Sequence, residues 1–130
     1  MKIVTLVARL LLGLVFLAAG VSTFFILNHP PAAPGPLAAE FQHAFFASRW
    51  VVFTSVVQIV CGVLLLVNRY VPLALVALIG ILYNIIAFHL TMNPSGIIPG
   101  LVCIVLWIVV ARSHRANLLP LLEASPRRSA

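Results

Sequence analysis

Apolar residues run almost unbroken through four stretches of the chain, 3–27, 50–67, 71–90 and 97–111, and no Asp or Glu falls in any of them. At about 1.5 Å per helical residue, the first is long enough to cross about 30 Å of hydrocarbon with some tilt. It is stopped by Asn28-His29-Pro30-Pro31, and the Ala/Pro/Gly stretch up to Pro36 cannot continue a helix. Over 37–48, Phe41, Ala44, Phe45 and Ser48 recur at i, i+3, i+4 and i+7, which predicts a short amphipathic helix on the membrane surface. Asn68-Arg69-Tyr70 predicts a tight turn, and Pro72 falls in the first turn of the third span, where its missing N–H does little harm. A second turn is expected over 92–96. The fourth stretch, with Pro99 at its entry, is short for a crossing, so its helix should run past Ala111 toward Arg115.

The pattern predicts an all-α fold, an integral membrane antiparallel four-helix bundle over residues 1–117. The spans are placed at about 3–27, 50–67, 71–91 and 97–112, the outer loop at 28–49 with its surface helix, and a cytoplasmic tail at 118–130. A cleaved signal peptide is the competing reading of the first span, since Lys2 precedes it and Ala18-Ala19-Gly20 resembles a cleavage site. Arg9 inside the run, and its extension through Phe24-Phe25-Ile26, favour a retained span.

Charge supplies the orientation. In a four-span layout Lys2, Arg9, Arg69, Arg112, Arg115, Arg127 and Arg128 fall on one side, and Arg49 on the other. The positive-inside rule then puts both termini in the cytoplasm of a multi-pass membrane protein. The net charge of +6 is dispersed near span ends, which reads as topology and attraction to anionic lipid rather than nucleic-acid binding. With 63% hydrophobic residues, 8% charged and a mean hydropathy of +1.19, the chain has no room for a separate soluble catalytic domain. Cys61 and Cys103 form no C-x-x-C pair and read as small apolar residues of the second and fourth spans.

Hydrophobicity does not hold helices together in lipid, so small and polar residues at helical spacing should mark the packed faces. The expected seams are Arg9, Gly13, Gly20 and Thr23; Ser55, Gln58 and Gly62; Ala77, Gly80, Asn84, Ala87 and Thr91; and Gly96, Gly100, Cys103 and Trp107. Arg9, Gln58, Asn84 and His89 are the candidate functional residues, because polar side chains within spans are costly. Each keeps a second reading. Arg9 can snorkel, Gln58 and Asn84 can join helices by hydrogen bonds, and His89 can bond a loop carbonyl. His29, His43 and His89 have no metal-ligand spacing, so no metal site is expected.

The motifs resemble those of the DoxX family of small four-span bacterial membrane proteins. The first span, Ala8-Arg9-Leu10-Leu11-Leu12-Gly13 through Ala19-Gly20, is similar to the family's opening Arg…Gly…Gly pattern. Gln58 through Gly62, followed by Leu-rich residues and Asn68-Arg69, resembles its second-span signature. Asn84-Ile85-Ile86-Ala87-Phe88-His89, followed by Asn93-Pro94-Ser95-Gly96, resembles its third-span ending. Two departures stand out: Ser22 and Thr23 replace a Lys that many relatives carry, and Gln58 replaces a Glu.

The resemblance implies association with membrane-linked redox systems, as in subunits of thiosulfate:quinone oxidoreductase. The expected function is an anchor or quinone-interacting subunit that is not catalytic alone. Membrane lipid and other subunits would be its partners, and quinone its candidate ligand. Arg9, Gln58, Asn84 and His89 would then donate to quinone carbonyls, with Tyr83 and Trp107 as walls. A purely structural accessory subunit is the alternative. A drug–proton exchanger is disfavoured, because the only acids, Glu40 and Glu123, lie outside the spans.

Overall fold

The computed structural model describes residues 2–124, and every described element is helical. Its helices are α1 (Lys2–Ile26), α2 (Pro36–Ala47), α3 (Trp50–Leu66), α4 (Val71–Thr91), α5 (Ile97–Ser113) and the short α6 (Arg115–Leu118). One 3-10 turn, Pro94–Gly96, leads into α5, and another, Leu119–Leu122, follows α6. The tail beyond 124, with Arg127 and Arg128, lies outside the described residues.

The boundaries follow from local chemistry. Pro30 and Pro31 offer no N–H after α1, whose last bond is His29 N–H to Ile26 O at 3.1 Å. Pro36 opens α2 behind an extended Gly35. At the far end of α3, Asn68 sits at φ 57°. Arg69 N–H reaches Leu64 O at 3.0 Å and Asn68 N–H reaches Leu65 O at 3.3 Å, a Schellman motif with Asn in the left-handed position. The expected turn at 68–70 is therefore a helix cap. α5 ends at Ser113, where the chain turns at His114 instead of continuing straight to Arg115.

α1 packs along α3, α3 on α4, α4 on α5, and α5 back on α1, so each long helix touches two others. α1 and α3 run antiparallel at backbone contact. A Cβ at Gly62 would lie 2.7 Å from Leu17 N and 2.8 Å from Gly13 O; one at Gly20 would lie 2.8 Å from Ser55 O. Only glycine permits that approach. The core between the four helices is Leu12, Phe16, Leu65, Leu75, Leu78 and Val110, all fully buried. Most other large apolar side chains face outward, a surface suited to acyl chains.

α2 bends away from α3 by 79°. Arg49, at φ 61°, makes the corner, and Trp50 N–H bonds Ser48 Oγ at 3.3 Å. Phe41 stacks on Phe45 and meets Phe88 of α4, each at 5.6 Å between centroids, so the foot formed by α2 rests on the end of α4.

One seam departs from expectation. On α4, Ala77, Gly80, Asn84 and Thr91 are exposed, and nothing lies within 4 Å of a Cβ at Gly80. α4 instead buries Val71, Ala74, Leu75, Leu78 and Leu82. In an all-apolar helix those leucines fill the groove between α3 and α5 better than small residues do.

Replacing Gly62 by Leu should destabilise the protein by about 2–3 kcal/mol in detergent unfolding, because the side chain meets backbone. Gly80→Ala should be neutral or stabilise by roughly 0.5–1 kcal/mol, since it meets open space in a helix interior.

Candidate functional site

Arg9 is the most deeply placed polar candidate, 8% exposed. Its Nη1 donates to Leu65 O, the carbonyl that also accepts from Asn68 N–H in the cap of α3. A cation at the negative end of α3 complements the helix dipole and the under-satisfied carbonyls there. Arg9 makes no ion pair with any described residue. Its position joins α1 to the end of α3.

His89 lies at the opposite end. Arg9 meets α3 near its junction with α4, and His89 is about 25 Å further along α4 at 1.5 Å per residue. Its Nδ1 is 2.8 Å from Ile85 O; a carbonyl only accepts, so Nδ1 carries the proton. Nε2 lies beside Gly96, where a Cβ would sit 2.9 Å away. The imidazole rests edge-on against Phe88 at 5.3 Å. Gly96 thus serves as the seat for the ring.

Gln58 is half-buried on the face of α3 that holds Ser55, Gly62 and Leu65, and its amide bonds no described residue. Asn84 faces away from the other helices. Its Nδ2 donates to Gly80 O at 2.8 Å within α4, and its Oδ1 has no described partner. The structure therefore does not bring Arg9, Gln58, Asn84 and His89 into one cavity. The expected walls are split as well: Tyr83 is 74% exposed, while Trp107 Nε1 donates to Leu75 O at 2.9 Å.

A common rule governs the hydroxyls. Thr23, Ser55 and Thr91 each return to the carbonyl four residues earlier, at 3.2, 2.8 and 2.8 Å. Across the long helices, only Arg9 and Trp107 make side-chain bonds between elements among the described residues. Gly100 is buried and faces Ile86 and Ile85 of α4, where a Cβ would sit 3.1–3.2 Å away.

A cleft of about 270 Å³ opens at the His89 end, lined by Asn28, His43, Phe46 and Arg49 among others. Both Arg49 Nη groups approach Asn28 Oδ1 at 3.4 Å. The sequence carries no signal for this pairing: Arg49 reads there only as a charge on the minority side. The left-handed corner that aims it has no signal in an Arg. No group of three or more His, Cys, Asp or Glu that could hold a metal occurs among the described residues.

The DoxX family model matches residues 4–91, more than half of the chain, covering most of α1 and all of α2, α3 and α4. No curated protein and no solved structure matches.

Arg9→Leu should lower stability by about 1–3 kcal/mol, measured by unfolding in detergent, because it removes a charged donor from the cap of α3. Arg9→Lys should lose less, since a long amine still reaches that end.

Proposed function

Because this chain belongs to the DoxX family, we propose that it is a membrane-embedded accessory subunit that anchors a redox enzyme to the bilayer. In this reading α1, α3, α4 and α5 cross the bacterial inner membrane four times, and both termini are cytoplasmic. α1, α4 and the segment 94–113 are each long and apolar enough to cross by themselves. α3, at 17 residues, reaches about 25 Å and suits a crossing with α2 as a foot along the surface. Trp50 at the start of α3 and Tyr70 at the start of α4, 61% and 70% exposed, suit the aromatic belts of an interface. Lys2, Arg9, Arg69, Arg112 and Arg115 gather at one end of the bundle and Arg49 stands at the other, which supports that orientation.

One observation carries the subunit reading. Near the middle of α4, Tyr83 and Asn84 are exposed on the outward face, beside exposed Ala77 and Gly80. Polar groups at that depth are costly against acyl chains and favourable against another helix, which small neighbours allow to come close. The redox character of the partner rests on the family resemblance alone. The anchoring version is favoured over the quinone-interacting one, because the four polar candidates share no cavity.

Gentle detergent extraction should yield a larger complex containing this chain. Tyr83→Phe with Asn84→Leu should weaken that association roughly 3- to 20-fold, the range expected for interhelical hydrogen bonds, and leave the chain folded. A wild-type chain that purifies alone as a stable monomer would contradict the proposal.

A further inference from the structure

At the basic end of the bundle, α6 and the turn after it fold back beside the end of α5 and leave a groove of about 240 Å³. Its wall is apolar: Trp107 and Ile108 from α5, Leu118 from α6 and Leu122 from the last turn. Trp107 is oriented by its bond to Leu75 O at 2.9 Å. Arg112 and Arg115, both exposed, stand at the rim three residues apart. Neither guanidinium has a hydrogen bond or ion pair among the described residues.

We propose that this groove seats one anionic phospholipid, its phosphate held by Arg112 and Arg115 and an acyl chain laid along Trp107, Ile108 and Leu122. The arginines stand where α5 ends, at the level a headgroup occupies if that helix crosses the bilayer. Two cations with no partner among the described residues, above an apolar slot, match a ligand that is anionic at one end and aliphatic at the other. A second copy of the chain fits poorly, because it would bring four arginines together from a sequence with two acids in all. The site needs only that the Ser113 end of α5 reach a headgroup layer. It does not depend on the anchored partner, and either idea can fail without the other.

Native mass spectrometry of the full chain in detergent, titrated with phosphatidylglycerol or phosphatidylethanolamine of matched chains, reads the site directly. One phosphatidylglycerol should be retained in preference to phosphatidylethanolamine. Arg112→Gln with Arg115→Gln should weaken its binding roughly 10- to 30-fold, at about fivefold per arginine. Ile108→Trp, which fills the slot and leaves the charge alone, should also remove the adduct. Arg69→Gln, a charge at the same end outside the groove, should change nothing. Equal retention of both lipids, equal weakening by Arg69→Gln, an unchanged adduct in Ile108→Trp, or loss of a dimer instead of a lipid would each overturn the proposal.

Discussion

The contact between α1 and α3 is the constraint on which the rest of the arrangement hangs. Gly13, Gly20 and Gly62 remove the side chains that would hold these helices apart, and their backbones meet. Close approach gives dispersion contacts along several turns, which is the attraction left to helices whose surroundings are as apolar as they are. Arg9 fixes the register at one end by donating to Leu65 O, a carbonyl in the cap of α3. α4 and α5 then close the ring over the remaining faces, tied by the bond from Trp107 to Leu75.

Apart from the half-buried Gln58 amide, which bonds no described residue, the polar groups of the long helices are mostly satisfied locally. Thr23, Ser55 and Thr91 spend their hydroxyls on their own helices, and His89 does the same with its imidazole. Such bonds satisfy the side chain without recruiting a neighbour, so they permit a polar residue in a span without creating a site. Three polar features remain outward or open: the middle of α4, the rim at Arg112 and Arg115, and the cleft below Arg49.

The sequence made some of this legible and concealed the rest for a physical reason. Apolar run length and the prolines at 30, 31, 36, 72 and 99 located the helices to within a residue or two. Asn68 announced the end of α3, because few residues besides Asn and Gly accept that backbone conformation. The inward face of α4 was not readable. When every side of a helix is apolar, hydropathy carries no inside–outside signal, and the stripe from Ala77 to Thr91 looked like a seam. The leucines at 75, 78 and 82 took that place. The convergence of Arg9, Gln58, Asn84 and His89 failed for a related reason: residue type marks each as costly, and depth along the span decides whether they can meet. Arg49 was hidden because nothing local predicts an Arg at positive φ.

The central claim is that four helices cross the bilayer with the basic ends together and α2 folded along the opposite surface. Single cysteines placed at Ala39, Asn68, Ser95 and Asn117, with Cys61 and Cys103 changed to Ser, test it most directly in intact cells. An impermeant maleimide should label positions 39 and 95 from outside, and positions 68 and 117 only after permeabilisation. Positions 68 and 95 reacting from the same side would contradict it, because α4 would then not cross.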